Sequence, residues 1–243
     1  MCGRYTNDAE FSEIRLAFKA EPFQRFGSWK PTYNITPSYG PGFEQLIVVG
    51  NRTEGRVLRL GRWWLIPWFW NKSLKSLPTS FNARVEDVES KPLWREAFRS
   101  TRCLVPATGW REFTGTRGQK QPYHFRLPAP LFAFAGLWST WTSDVGEVVD
   151  SFAIITAPPN PIAAKIHDRM PLVLPEGSYG EWLDQAGDPA LVLQEAQARS
   201  LELPLQVFPS DPIGNSGRYE GPRVIEPVTI APAQQELFGG KAR

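Results

Sequence analysis

The chain is poor in the residues that build metal centres and covalent cross-links. Its 243 residues include 2 Cys, 2 His and 2 Met, beside 10 Trp. Cys2 and Cys103 cannot form a disulfide framework or a CxxC zinc site, and the lack of such a scaffold points to a reducing compartment. Two histidines, His124 and His167, leave no ordinary metal-ligand spacing, so neither metal nor cofactor is expected. Charge of one sign is also scarce. The 27 Lys and Arg against 25 Asp and Glu leave a net +2, which excludes a polycationic coat for nucleic acid. Any contact with nucleic acid must then use a local patch. No apolar run approaches the ~20 residues of a membrane span. The longest candidate, Trp63 to Trp70, is short and interrupted by Pro67. The amino terminus lacks a signal-peptide pattern. The expectation is a cytoplasmic monomer with no membrane partner.

What is plentiful is proline, with 23 residues spread along the chain, favouring short elements and many turns. Phe11, Ile14 and Phe18 recur at helical spacing within Asp8 to Ala20. Short β-rich runs follow at Leu46–Val49, Val57–Leu60, Cys103–Pro106, Tyr123–Arg126, Leu131–Leu137, Val148–Thr156 and Leu172–Leu174. Further helices are predicted at Pro92–Phe98, at Tyr179–Gln185, and after Asp188, where Asp-Pro supplies an N-cap and a first-turn proline. The class is α+β: one β-rich domain over residues 1–227, with an antiparallel barrel- or sandwich-like sheet core and a few short flanking helices. Residues 228–243 read as a flexible tail.

Cys2 stands out by position. An initiator methionine followed by so small a residue is normally removed, which leaves cysteine with a free α-amine and a thiol on one carbon skeleton. Such a 1,2-aminothiol condenses with an aldehyde to an imine, and the thiol then closes a thiazolidine ring. The α-amine titrates near ~7.7–8.0, so a sizeable neutral fraction exists near pH 7. Tethering the thiol makes ring closure intramolecular. The plainer reading is a frayed terminus without a role.

Three other segments bear on that choice. In Phe81-Asn82-Ala83-Arg84-Val85-Glu86, an extended backbone puts the Asn82 amide and the Arg84 guanidinium on one face. Gly109-Trp110-Arg111-Glu112-Phe113 sets an acid in an aromatic run, where burial would raise its pKa. Ile166-His167-Asp168-Arg169-Met170-Pro171 places a histidine in a polar turn, whereas His124 alternates with apolar residues as an ordinary strand histidine does. Singly, Asn82 reads equally as a turn residue, Glu112 as an ion-pair partner and His167 as a helix-end group.

Together with Met1-Cys2-Gly3-Arg4-Tyr5, Tyr33-Asn34-Ile35-Thr36-Pro37 and Trp64 to Trp68, these segments resemble the SOS-response-associated peptidase (SRAP) family of abasic-site processing proteins. The order and approximate spacing match from Met1 to about Pro227. The resemblance implies a β-rich α+β domain with a positive groove, and a covalent thiazolidine between the N-terminal cysteine and an abasic site in single-stranded DNA. The family's catalytic positions fall on Cys2, Asn82, Glu112 and His167. On that reading His167, titrating near neutrality, helps open the sugar ring, and Glu112 moves protons during dehydration. Asn82 fixes both partners. Arg4, Arg84 and Arg169 would converge on the flanking phosphates, with Pro37 beside them, while Trp68 stacks next to the lesion. Removal of Met1 is expected to be autocatalytic or to use an aminopeptidase, and general proteolysis is the weaker expectation.

Gln234, Leu237 and Phe238 in the tail resemble a short sliding-clamp-binding peptide, which implies the replication clamp as a partner. Two further functions remain open on the residues alone. Met-Cys-Gly also begins N-terminal-nucleophile amidohydrolases, in which the thiol attacks an amide. A non-covalent binder of single-stranded or modified DNA would keep salt-reversible binding without Cys2.

Overall fold

A computed structural model of the chain describes residues 2–23, 29–51, 55–116 and 118–230. The first half of the fold contains β1 (Tyr5–Asn7), α1 (Phe11–Phe18), β2 (Ala20–Pro22), β3 (Thr32–Ile35), β4 (Glu44–Asn51), β5 (Gly55–Trp63) and β6 (Asn82–Arg84). Then come α2 (Pro92–Ser100), β7 (Arg102–Ala107), β8 (Gly109–Thr114), β9 (Gln121–Arg126), β10 (Phe132–Thr142) and β11 (Val148–Ala157). The last elements are β12 (Met170–Pro171), β13 (Val173–Leu174), α3 (Tyr179–Leu183), α4 (Pro189–Ser200) and β14 (Gln206–Pro209).

One sheet has the order β14-β9-β8-β1-β3. The larger one runs β12-β11-β10-β7-β4-β5-β2, with β6 also on β11 and β13 on β10. Parallel pairing of Ser151 and Phe152 in β11 with Arg62 and Trp63 in β5 closes five of its strands into a barrel. The fold is thus the expected β-rich α+β class, but not purely antiparallel. The β5–β11, β6–β11 and β2–β5 pairs are parallel. Strand polarity at such long range is set by how the chain crosses over, which local periodicity does not record.

The central stretches of barrel strands such as β4, β7 and β10 are apolar on both faces because both are covered. In β4, Leu46 and Val48 join Ile14, Phe18, Trp94, Phe98 and Trp182 from the helices. The intervening Ile47 and Val49 join Tyr5, Trp110, Tyr123 and Phe125 from the smaller sheet. Two-sided burial explains runs such as Leu46–Val49 that do not alternate with polar residues.

Helix ends follow the sequence signals. Asp188 caps α4 by accepting from Ala190 N–H at 2.9 Å, with Pro189 in the first turn. Arg102 is buried and donates to the carbonyls of Phe98 and Arg99 in α2 and of Trp182 in α3, each at 2.7 Å. It also donates to the Asp184 carbonyl at 2.6 Å. One guanidinium thus satisfies carbonyls that two helix ends leave without intrahelical donors. Near the end of the described chain, Val228 N–H donates to the Pro209 carbonyl at 2.9 Å. The tail residues Gln234, Leu237 and Phe238 lie outside the described residues.

Candidate active site

Cys2 is delivered by the smaller sheet. Tyr5 and Thr6 of β1 lie opposite Trp110 and Gly109 of β8, and Arg111 N–H donates to the Arg4 carbonyl at 3.1 Å. Continuing this antiparallel register brings residues 2–4 back along β8 towards Glu112. The other two segments hang from β11. Asn82 begins β6 opposite Ile154, while Met170 of β12 lies opposite Ala157. Before β12, Asn160 Oδ1 accepts from the N–H groups of Ile162 and Ala163 at 3.1 and 2.9 Å. His167 N–H then closes onto the Ala163 carbonyl at 3.0 Å. A side-chain-capped turn therefore sets the height of His167 above the sheet.

The result is a compact set. Cys2 Sγ, a Glu112 carboxyl oxygen and a His167 ring nitrogen all lie within 4.8 Å of one another. Asn82 Nδ2 donates to the Cys2 carbonyl at 2.6 Å, and the Cys2 thiol donates to the Arg169 carbonyl with Sγ···O at 3.6 Å. His167 Nε2 is 3.9 Å from Glu112 Oε2. Its other nitrogen, Nδ1, lies 3.0 Å from Arg169 N, 3.1 Å from Arg169 O and 3.2 Å from Asp168 Oδ1. Asn82 Oδ1 and Glu112 Oε1 are buried and have no hydrogen-bond partner among the described residues. Two such unsatisfied acceptors beside a thiol are what a site built around an incoming polar group needs.

Burial sets the protonation states. It pushes the Glu112 carboxyl up to about 7, from an ordinary 4.5. Desolvation, and then the neighbouring Glu112 charge, raise the Cys2 thiol well above its usual value. His167 moves the other way. Half-burial lowers it from 6.5, away from the neutral pH at which the sequence reading had it titrate. At pH 7 the set is a protonated thiol, a carboxyl close to its midpoint, and a neutral imidazole.

The residues expected to hold DNA differ in what already engages them. The Arg169 guanidinium is engaged by Glu86 through bonds of 2.7 and 3.0 Å, and it also donates to the Thr156 carbonyl. The Arg4 guanidinium donates to the Gly3 and Asn215 carbonyls at 3.1 and 3.4 Å. Arg84 is exposed, on the strand that carries Asn82. Trp68 is 61% exposed, and its ring meets that of Phe69 edge-on at 5.7 Å. Trp70 is half-buried, and its carbonyl accepts from Trp141 Nε1 at 2.7 Å. Pro37 is half-buried just beyond β3. Two groups near the imidazole drew no attention in the sequence: Asp168, and Lys120, whose charge lowers the His167 pKa. Adjacency in the chain could have flagged Asp168, whereas nothing local marks Lys120.

A family model described as SOS response associated peptidase (SRAP) matches residues 1–208. The chain belongs to the SRAP family. It is 33% identical to the abasic site processing protein YoqW of Bacillus subtilis over 93% of this chain and 99% of that protein. It is 28% identical to the abasic site processing protein YedK of Escherichia coli over 94% of this chain and 100% of that protein. A solved protein from Bacteroides thetaiotaomicron has the same fold, with a TM-score of 0.78, 19% identity, and coverage of 94% of this chain and 100% of that one.

In this SRAP chain four of the six sequence motifs meet at Cys2; of the other two, Trp64–Trp68 carries the exposed Trp68, and Tyr33–Pro37 serves the fold. Asn34 Nδ2, from Tyr33–Pro37, donates to the carbonyls of Gly214 and Tyr219 at 3.0 and 2.9 Å. The Glu220 carboxylate accepts from Tyr33 N–H and, at 3.2 Å, from Asn34 N–H. That motif pins the C-terminal segment to β3.

Proposed function

We propose that the chain processes abasic sites in single-stranded DNA by forming a covalent thiazolidine with Cys2 after Met1 is removed. The observation that carries this reading is the convergence of the buried Cys2 thiol, Glu112 and His167 within 4.8 Å, with Asn82 holding the Cys2 carbonyl. The names of the SRAP relatives support the choice of abasic DNA.

On this reading each step draws on a group near Cys2. The abasic sugar is mostly a closed hemiacetal, and its ring oxygen needs a proton as it leaves. Glu112, near its midpoint at pH 7, supplies that proton in its acid form. His167, as a neutral imidazole, takes the proton of the anomeric hydroxyl, so that its carbon becomes the aldehyde. This shifts the proton-donor role from His167 to the carboxyl, because burial moves the two pKa values in opposite directions. The Cys2 amine then adds to the aldehyde carbon, and the carbinolamine loses water to give an imine. The thiol adds across the C=N bond, its sulfur bonding to carbon and its proton passing through Glu112 to nitrogen. One water is lost overall and nothing is oxidised or reduced. The buried oxygens Asn82 Oδ1 and Glu112 Oε1, without hydrogen-bond partners among the described residues, support a role as acceptors for the amine and a sugar hydroxyl.

The raised thiol pKa favours this route over thiol proteolysis. A thiol protease needs a thiolate in its resting state, and burial beside Glu112 works against one. In the thiazolidine route the thiol loses its proton only as it attacks. Exposed Trp68 and Phe69 suit stacking with unpaired bases, and Arg84 suits a phosphate.

Intact mass spectrometry tests the reading. The expected species lacks Met1 and, with an abasic single-stranded oligonucleotide, gains the oligonucleotide mass less one water. Cys2→Ala, or a chain extended before Cys2, gives no denaturation-resistant adduct. An adduct from either variant would refute the mechanism, and ammonia released from glutamine with turnover would favour the amidohydrolase reading instead.

A further inference from the structure

We propose that Cys2, Glu112 and His167 form a zinc-binding site that holds the thiol in a reversibly blocked state. No local spacing in the sequence announces it. Three segments far apart in the chain supply one sulfur, one oxygen and one nitrogen, all within 4.8 Å of one another. Tetrahedral zinc, with bonds of ~2.0–2.3 Å, places its donors about 3.5 Å apart, so contraction by at most about 1.3 Å completes the set. The Glu112–His167 pair, at 3.9 Å, is nearly there.

The surroundings fit a metal better than an empty cluster of polar groups. His167 Nδ1 faces Asp168 Oδ1 at 3.2 Å and the Arg169 carbonyl at 3.1 Å. Nδ1 accepts from Arg169 N–H at 3.0 Å in one tautomer; metal binding selects the other, in which Nδ1 gives up that bond, donates to those acceptors and leaves the Nε2 lone pair directed at Glu112. Zinc-ligating histidines are oriented by this type of contact. Glu112 Oε1 is buried and has no hydrogen-bond partner among the described residues. A thiolate and a carboxylate side by side would bury two negative charges beside a neutral imidazole, which is costly without a cation. A divalent ion cancels both. The mixture of thiolate, imidazole and carboxylate selects zinc over magnesium or calcium, which prefer oxygen ligands alone.

Zinc binding here breaks the S–H bond and any proton on Glu112, releases those protons to solvent, and changes no oxidation state. The fourth position takes water, or the Cys2 amine once Met1 is gone, whose nitrogen and sulfur then chelate as a five-membered ring. The site itself needs no DNA. Only its consequence, competition with the aldehyde for the thiol, rests on the proposed function above.

Cobalt titration of the full chain tests the site, with zinc as competitor. One equivalent of Co²⁺ gives a thiolate-to-cobalt band and the intense visible bands of four-coordinate cobalt, and Zn²⁺ displaces both. Cys2→Ser loses the thiolate band. Glu112→Gln and His167→Ala weaken cobalt affinity at least ~10-fold, and the exposed Asp168→Asn weakens it about tenfold through His167. Zinc suppresses adduct formation, and a chelator restores it. A wild-type chain without the thiolate band, or a band indifferent to both Glu112→Gln and His167→Ala, overturns the proposal. The cobalt band without an adduct keeps the metal site and sinks the cross-linking reading. An adduct without the band does the reverse.

Discussion

Replacing Glu112 by glutamine separates the cost of the site from its chemistry. Glutamine has nearly the shape of the protonated acid and cannot ionise. Burial raises the carboxyl from 4.5 to about 7 in the folded protein, so ionising it there costs about 3 kcal/mol more than in the unfolded chain. Because the folded pKa is the higher one, the fold has its full stability from this group below pH ~4.5. That stability is lost as pH rises towards 7, and the loss is complete above it. The wild type therefore gives up about 3 kcal/mol at this one group between pH 4.5 and 8, and Glu112→Gln does not. Urea unfolding of both proteins in chelator-containing buffer across that range measures the difference. The expected result is near-equal stability at pH 4.5 and a variant more stable by about 3 kcal/mol at pH 8, with adduct formation slowed ~10²–10⁴-fold. A stability difference that is constant with pH would refute the argument, as would a variant weaker at every pH. Stabilisation combined with loss of activity would identify Glu112 as a residue kept for chemistry at the expense of the fold.

Gly109 opens the strand that carries Glu112, and a Cβ there would sit 2.6 Å from both the His124 ring and the Phe125 carbonyl oxygen. Gly109→Ala is expected to cost about 1–3 kcal/mol by thermal or urea unfolding, since the backbone contact cannot move away easily. His124 is held down to about 3 by burial, then by the Arg111 and Arg126 charges. Its folded pKa lies below the unfolded 6.5, so stability falls as pH drops through that window, and His124→Gln flattens the acid limb of an unfolding titration. Arg84→Ala is expected to lower the salt slope of single-stranded DNA binding by about one, while Glu86→Gln leaves the slope nearly unchanged.

Much of the fold was legible because it rests on local rules. The heptad-like spacing of Phe11, Ile14 and Phe18, the Asp188-Pro189 start and the apolar barrel strands all appear where their patterns put them. The short strands β1, β2, β3 and β14 carry no such pattern, and Ala20, at the end of the segment read as helix, opens β2. At three or four residues each, these strands have too little periodicity, and long-range pairing alone stabilises them. The arginines show the same limit. Arg169 sits in a motif at the site, and only packing reveals that Glu86 has taken its guanidinium.

The sequence by itself determined the available chemistry: one cysteine at position 2, one acid in an aromatic strand, and one histidine in a polar turn. These are properties of residue type and near neighbours, and they need no fold to be read. Tertiary structure decided the rest. The parallel β5–β11 pairing closed the barrel, and β8, β6 and the turn before β12 brought four distant residues to one point. Burial raised Glu112, as its aromatic neighbours had suggested, and lowered His167, which they had not. Desolvation depends on what surrounds a group in space, and that is fixed only when the chain is packed.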